Sequence, residues 1–561
     1  MRINFDLKNP RASTGTLRLG SRISDLARLQ AFTVGAAIQK KFPNIKIDFN
    51  FRESLGDKNL NDPLWKMPER GVFTEDFYRG LMEDELDLVV HSWKDLPLID
   101  RNETKVIATL PREDQRDLLL FRKDQFQSVI NGRQLKILTS SPRRNYQLSK
   151  FLTDHLPFQQ TNSPPLKIEF LPVRGNVPTR IKKLSEGDSH ALVLAKAAWD
   201  RLTDNEIPEL QTLKAQLLQQ RKSLQWMVLP LSHCPTAAAQ GALAIEIKSD
   251  RTDLIPLFEA INCQMTHELV QVERRILGQF GGGCHQKIGV SCLNTPGGRL
   301  TISLGESPDG KTIDKVQLEP KFLQGKEVAA NFPIPKNLDA IWPRQRSDFI
   351  SMKRIQIPAP KYNDSSACFV SRIEALPEEW LTPIGENLKN GADQIIWTSG
   401  TETWKKLARL GVWVNGSQEN LGESIPPVKN LQHQSAESLQ WTKLTHQDAA
   451  TIVPENGDLK QIATYQLEEE PDWERQFNEN RPVDQITHFY WNSASQFISF
   501  TKKFPQIKNR YHYCGMGNTA RFLQSKVDHL QICLSYEEWL KEMQMKTSSA
   551  VGAHKNPENK K

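Results

Sequence analysis

The sequence predicts a multidomain α/β protein, on three observations. The chain has 561 residues, several times the ~100–200 residues of an ordinary domain, so three to five domains are expected. From Thr16 to about Asp250, short apolar or β-branched runs alternate with amphipathic stretches, and a second alternation of the same kind runs from about Ala367 to Met543; that alternation is the mark of strands followed by helices. Between the two lies a segment rich in proline and polar residues, 331–366, which reads as a linker.

Taken in order, LDLVVHSWKDLP, LKILTSS, KIEFLPVRG and HALVLAKAA are strand-like runs, each followed by a polar turn and a helix-like segment. From about Ala260 to Phe322 the chain carries Cys284 and then the strand-like pieces KIGVSCL, RLTISLG and KVQLEP, which suggests a small α+β domain. After the linker come ACFVSRI, DQIIWTSGTETW, ATIVPENG, THFYWNSASQFISF and YHYCGMGNTARFLQSKV, the second α/β pattern. The end, KTSSAVGAHKNPENKK, is polar and is expected to be disordered.

Composition narrows the class. Apolar residues make up 38% and charged residues 25%, as in a soluble globular protein, and no uninterrupted apolar run approaches the roughly 18 residues of a membrane span. The stretch MRINFDLKNPRASTG lacks the apolar core of a signal peptide, so a cytoplasmic protein with no membrane partner is expected. The seven cysteines (Cys234, Cys263, Cys284, Cys292, Cys368, Cys514 and Cys533) are odd in number and form no C-x-x-C pair. Neither a disulfide framework nor a metal site is expected from that spacing. A net charge of +7 is diluted over a long chain, and the arginines fall singly or in pairs rather than interleaved with aromatics, so nucleic-acid binding is not implied.

The positions of the cations carry more information. Arg22, Lys94, Arg143, Arg144, Arg174, Arg180 and Arg201 each follow one of the expected strands of the first region, and ligands of α/β sheets gather at the carboxyl ends of strands. A single arginine is commonly a solvated surface charge. A set of them suits a ligand with several carboxylates or phosphates, because a planar guanidinium binds each through two parallel hydrogen bonds. Ser140 and Ser141, beside Thr139, add hydroxyl donors. No Walker-type phosphate loop occurs, and no G-x-G-x-x-G follows a strand in this half. Asp95 stands just past the apolar strand among these cations. Its ordinary use there is a cap or turn, but a carboxylate beside an anionic ligand would repel it unless it served a proton or a developing positive charge. Cys284 follows Gly281, Gly282 and Gly283 and precedes His285 and Lys287. Free cysteines are usually small buried hydrophobes, whereas bare glycine backbone leaves room for another molecule and nearby cations lower a thiol's pKa.

Between Leu17 and Val290 the ordered motifs LRLGSRISDLARLQA, RGVFTEDF, LDLVVHSWKDLP, REDQRD, TSSPRR, VRGNVPTRIKKL, AAAQGALAIE, ER at Glu273 and Arg274, and GGGCHQKIGV closely resemble the porphobilinogen deaminase (hydroxymethylbilane synthase) family. The resemblance implies two lobes of periplasmic-binding-protein-like fold with a cleft between them, and a small third domain bearing the cysteine. It implies domains at 16–115 with a return segment 226–250, at 116–225 and at 251–330, followed by the linker 331–366, a further domain at 367–545 and a tail 546–561. It implies that Cys284 carries a dipyrromethane cofactor through a thioether and that Asp95 is the catalytic residue. Lys94, Ser140, Ser141, Arg143, Arg144 and Arg174 would hold the cofactor; Arg22, Ser24, Arg70, Arg180, Arg201 and Gln240 would hold the acetate and propionate groups of the substrate, porphobilinogen. The expected product is the linear tetrapyrrole hydroxymethylbilane, made by a monomer. The sequence departs from the family pattern at Arg70, where the family has lysine, at Ala239-Gln240-Gly241 after an apparent insertion, and at Gly281, where a glutamate is usual.

The second half is more loosely similar to uroporphyrinogen-III synthase, through THFYWNSASQFISF followed by YHYCGMGNTARFLQSKV and through IIWTSGTETW in the other lobe. That resemblance implies closure of hydroxymethylbilane to the macrocycle, with Ser399, Thr401, Ser493, Ser495, Asn518 and Thr519 bracketing the substrate; the same residues equally suit the caps and turns of any α/β domain. The rival to the deaminase reading is a non-catalytic two-lobed polycarboxylate-binding protein, for which neither Asp95 nor Cys284 would be required.

Overall fold

The computed structural model describes residues 9–53, 74–99, 101–158, 164–281, 286–295, 297–320, 332–349, 352–359, 361, 367–390, 394–422, 426–431, 440–450, 459–480 and 482–553. The first sheet begins with β1 (Gly15–Arg22), β2 (Ile45–Arg52), β3 (Leu88–Ser92) and β4 (Thr104–Ala108). The chain then builds a second sheet from β5 (Asp117–Arg122), β6 (Gln134–Leu138), β7 (Lys167–Leu171), β8 (Ala191–Ala195) and β9 (Leu224–Val228), before returning to the first with β10 (Leu243–Lys248). The strand orders are β2-β1-β3-β10-β4 and β7-β6-β8-β5-β9. They follow one plan: three parallel strands, then an antiparallel strand that has just crossed from the other sheet, then one more. The chain thus passes between the sheets twice, at 109–116 and 229–242. Trp226, Met227 and Val228, expected in the return segment, still belong to the second sheet.

The residue pattern explains these strands. β8, ALVLA, is buried along its whole length, as a strand covered on both faces must be. β2, IKIDFNFR, alternates because it is an edge strand with one wet face. Helix Pro142–His155 opens with proline in its first turn and with the Ser141 hydroxyl accepting from the Arg144 N–H, and Asn176 caps helix Val177–Glu186 in the same way through Thr179. Both caps place helix N-termini at the carboxyl ends of β6 and β7.

Helix Gln264–Gly278 leads to an antiparallel meander of β11 (Gly289–Thr295), β12 (Gly298–Glu306) and β13 (Thr312–Pro320). Beyond it, the segment expected to be a linker holds two strands, β14 (Ile341–Trp342) and β15 (Met352–Gln356). Each is the edge of a different sheet, so the segment is part of the C-terminal fold. The six-stranded sheet adds β16 (Ala367–Val370), β17 (Ile396–Thr398), β18 (Gly416–Ser417), β19 (Trp441–His446) and β20 (Leu459–Glu469) in the order β15-β20-β19-β16-β17-β18. The four-stranded parallel sheet adds β21 (His488–Trp491), β22 (Tyr511–Cys514) and β23 (Leu530–Ile532) in the order β14-β21-β22-β23. The strand expected at ATIVPENG spans 450–457; Ala450 ends a short helix, Gln447–Ala450, and 451–457 lie outside the described residues. The tail expected to be disordered is helical as far as Ala553, in helix Tyr536–Ala553, where the Thr547 hydroxyl bonds the Met543 carbonyl at 2.9 Å and Met543 is buried. Tertiary packing there outweighs a poor intrinsic helix preference.

The two halves share a core. Trp404 meets Phe151 edge-on at 5.2 Å and donates to the His155 carbonyl at 3.0 Å. Trp413 packs 5.4 Å from Phe121 and donates to the Trp226 carbonyl, as does Asn415, each at 2.9 Å. The Val228 N–H reaches the Asn415 carbonyl at 2.8 Å, so the chain entering β18 lies against β9 and covers an edge that would otherwise stand open. One continuous apolar cluster runs from Leu119 and Phe158 through Trp404 and Trp413 to Tyr465.

Candidate active site

Arg22 ends β1 and Ser92 ends β3, adjacent parallel strands of the first sheet. Ser24 caps the helix after β1 without a side-chain bond. Past β3, a single 3-10 turn, Trp93–Asp95, turns the chain. Its Trp93 is buried and its backbone N–H bonds the Ala242 carbonyl at 3.0 Å. This fixes Lys94 and Asp95 against the second crossing, with Asp95 exposed.

Opposite lies a buried ionic cluster. Asp117, 1% exposed, accepts from Arg143 at 2.9 Å, from Arg144 at 2.7 Å and from Gln240 at 2.9 Å. Burial would raise its carboxyl pKa, but the two guanidiniums outweigh that and hold it well below the usual carboxylate range. Arg143 also donates to Gln147 and to the Pro235 carbonyl, Arg144 donates to the Val193 carbonyl, and the Arg144 Nε is buried with no partner. Gln240 then receives the Lys94 ammonium on its Oε1 at 3.3 Å. Burial depresses the Lys94 pKa, and Arg144 and Arg143 depress it further against Asp95 and Asp117.

Arg180 donates to the Gly175 carbonyl. Its pKa is brought down to about 10 by burial, with Arg144 and Arg174 acting in the same direction and Asp95 against them. The Asp95 charge, carried by the first lobe, therefore acts on Arg180 of the second. Ser140 ties the turn after β6 to Val173 through reciprocal 2.8 Å bonds, while Ser141 is a cap. Of the expected substrate cations, Arg201 is committed to the backbone, donating to the Gly241 carbonyl at 2.7 Å. Arg70 and Cys284 lie outside the described residues. The loop holding Cys284 is nevertheless bracketed: Gly281 has φ +89°, and the Gln286 amide bonds the Phe280 carbonyl at 2.6 Å.

The sequence reading missed the residues that join these parts. Glu273 is fully buried and takes both guanidinium nitrogens of Arg112, at 2.8 and 2.9 Å, together with the Ala239 N–H and the Cys292 N–H, each at 2.7 Å. One carboxylate thereby links both crossings and the third sheet. Its neighbour Arg274 donates to the carbonyls of Leu96 and Pro97, just past Asp95. Gly241, at φ +87°, is required where the crossings touch, because a Cβ there would lie 2.6 Å from the Glu113 carbonyl oxygen. Asp117, Arg112, Glu273 and Arg274 all sat in recognised motifs, REDQRD and ER, without an assigned task.

The donor set of Lys94, Arg143, Arg144, Arg174 and Arg180 exceeds the acids beside it and suits a ligand with several carboxylates. In the C-terminal half, Ser399 follows β17 and its Oγ is buried without a partner. Thr401 and Asn518 open helices Thr401–Arg409 and Asn518–Gln524, with Thr519 next in the latter. Ser493 accepts from the Gln496 N–H and so caps helix Ala494–Lys503, in whose first turn Ser495 stands. The described cysteines are unbridged. Among the described residues no cluster of metal-binding side chains occurs, and no helix is long and apolar enough to cross a membrane.

Residues 17–256 match the family model described as porphobilinogen deaminase, dipyromethane cofactor binding domain. The chain is 35% identical to the porphobilinogen deaminase of Syntrophomonas wolfei over 53% of its own length and 86% of the relative's. It is 32% identical to those of Chromobacterium violaceum, over 53% and 85%, and of a Nostoc species, over 54% and 84%. The cluster of charged side chains between the two sheets and these similarities agree, and the chain belongs to the porphobilinogen deaminase family.

Proposed function

We propose that the cleft between the first two sheets performs the deaminase reaction with Asp95 as its catalytic residue and Cys284 as the attachment point of the dipyrromethane cofactor. The reaction condenses four porphobilinogen molecules stepwise, one ammonia leaving at each addition, and water then cleaves the completed chain from the cofactor as hydroxymethylbilane, so that the dipyrromethane stays on the enzyme. What carries the assignment is the Asp95 carboxylate, at the end of the turn after β3, whose charge acts on Arg180 of the opposite lobe. Arg143, Arg144, Lys94, Arg174, Ser140 and Ser141 would hold the cofactor's acetate and propionate groups, and the bound cofactor supplies the pyrrole carbon that attacks. Arg22, Ser24, Arg70, Arg180, Arg201 and Gln240 would orient the incoming substrate. Asp95 would accept the pyrrole N–H and stabilise the positive charge that develops on porphobilinogen as ammonia departs. The reading is of a cytoplasmic monomer.

For the C-terminal half the proposal is closure of hydroxymethylbilane to uroporphyrinogen III between its two lobes. It is supported by hydroxyls and helix N-termini at the carboxyl ends of β17 and β22, namely Ser399, Thr401, Asn518 and Thr519. Ser493 is spent on its cap, and Ser495 stands in the first turn of the helix it caps.

Intact mass spectrometry of the parent and of Cys284→Ser tests the deaminase assignment. One dipyrromethane of extra mass on the parent, absent from the variant, is expected. An unmodified parent that leaves porphobilinogen unconsumed overturns it.

A further inference from the structure

The loop after β18 belongs to the C-terminal half, yet one of its side chains grips the deaminase hinge. Glu419 takes the Leu231 N–H on one carboxylate oxygen at 3.0 Å and the Ser232 N–H on the other at 2.6 Å. Both amides lie in the second crossing between the deaminase lobes. The charge of Glu419 also acts on Arg116, at the end of the first crossing, raising its pKa behind the larger effects of burial and Asp114. One carboxylate from the far half of the chain thus holds one crossing, and its charge is felt at the other.

Its loop is built for this. Glu419 and the following Asn420 both adopt φ near +55–60°, a left-handed conformation that is costly for either residue and persists only where the surroundings fix it. The Glu419 N–H bonds the Ser417 hydroxyl at 3.0 Å, and the Asn420 N–H bonds the Ser399 carbonyl at 2.7 Å. Leu421 packs into a cluster with Leu231, Leu300 and Ile302. Beyond the loop, a Cβ on Gly517 would stand 3.9 Å from both the Asn420 carbonyl oxygen and Gly422. The grip on the hinge therefore begins where the two C-terminal lobes approach each other.

We propose that Glu419 is a positioning residue for the deaminase reaction, acting through the 229–242 crossing to set how far the two deaminase lobes part as the pyrrole chain lengthens. The proposal rests on membership of the deaminase family. Each condensation adds a unit at the same charged cluster, so the lobes must move or the chain must be drawn along, and among the described residues the two crossings are the covalent axes for that motion. Two charge-assisted hydrogen bonds to successive backbone amides restrain such an axis without touching substrate.

The test compares full-length Glu419→Gln and Glu419→Ala with the parent, after the parent has been shown to carry cofactor and consume porphobilinogen. Amide exchange at Leu231 and Ser232 should rise in both variants while the cofactor mass is retained. kcat should fall about 5-fold or more in Glu419→Ala with KM within twofold, and the mass spectrum should shift toward enzyme carrying partly extended chains. Glu419→Gln, which keeps one acceptor and the volume, should fall between, and it carries the test alone if the alanine variant melts below the assay temperature. Unchanged exchange at these amides overturns the proposal, and so does raised exchange with kcat and the distribution of bound chains unchanged. A kcat loss matched by a rise in KM also overturns it, because that marks a role in binding.

Discussion

The N-terminal and C-terminal pairs of sheets share a plan, each crossed twice by the chain and each with polar residues at the carboxyl ends of parallel strands. The first surrounds its gap with buried charge, Asp117 under Arg143 and Arg144 with Lys94 opposite, while the second offers Ser399, Thr401, Asn518 and Thr519 beside glycines. Charged side chains are expensive to bury unless each is paired, so a cleft that uses them must specify an entire supporting network. A cleft built on hydroxyls and backbone amides binds through groups that any α/β domain possesses. That difference makes the first function readable and leaves the second resting on general features.

The largest effect separating the two clefts should come from Asp95→Asn, which keeps the volume and removes the charge. It should lower kcat for porphobilinogen consumption by about 10²–10⁴-fold with the cofactor mass intact, and leave unchanged the closure of added hydroxymethylbilane proposed for the C-terminal half. A loss of less than threefold would remove Asp95 from the chemistry. Next, Asp117→Ala strands two buried guanidiniums and should cost about 3–5 kcal/mol in denaturant unfolding, an amount no single hydroxyl deletion in the C-terminal cleft should match.

An acid titration probes the seam between the halves. Burial brings the His155 pKa down to about 4, below its ordinary 6.5, so the neutral ring is favoured in the folded state. Its stabilising contribution is present above pH 6.5 and is lost as pH falls through 4. The melting temperature of the parent should therefore drop relative to that of His155→Phe over that window and not above it. Asp200, held up at about 6 by burial, trends the other way in both proteins and cancels in the difference. The smallest effect is expected from Ser493→Ala, about 1 kcal/mol of stability from the lost cap with neither activity altered; loss of macrocycle closure would return Ser493 to the site.

How much of this was legible follows from the same physics. β3, β6, β8 and β21 are short apolar runs between turn residues, and Ser141 and Asn176 announce their helices. Lys94, Asp95, Arg143 and Arg144 could be found because cations after strands form a pattern. Glu273 stands in the ER motif, but its task could not be read, since in HELVQVERRIL it looks like one more polar residue of an amphipathic helix, and only the fold brings Arg112, Ala239 and Cys292 to it. Glu419 was hidden for a like reason, in NGSQENLG, which spells a turn. The segment holding β14 and β15 reads as linker because each is an edge strand with one neighbour, two and five residues long, and carries too little periodicity to stand out among prolines.

The contact of Asn415 with Val228 and Trp226, at the meeting of β9 and β18, has a thermodynamic consequence. Two enzymes joined by a flexible tether would melt separately, each with its own transition. Here the apolar cluster that closes the second deaminase sheet is completed by Trp404 and Trp413 from the other half, so neither side can unfold without exposing the other. A single calorimetric transition, with its van't Hoff and calorimetric enthalpies in agreement, is expected for the whole chain. The two halves are thereby one cooperative fold, and a destabilising substitution on either side of the seam should lower the melting temperature of both together.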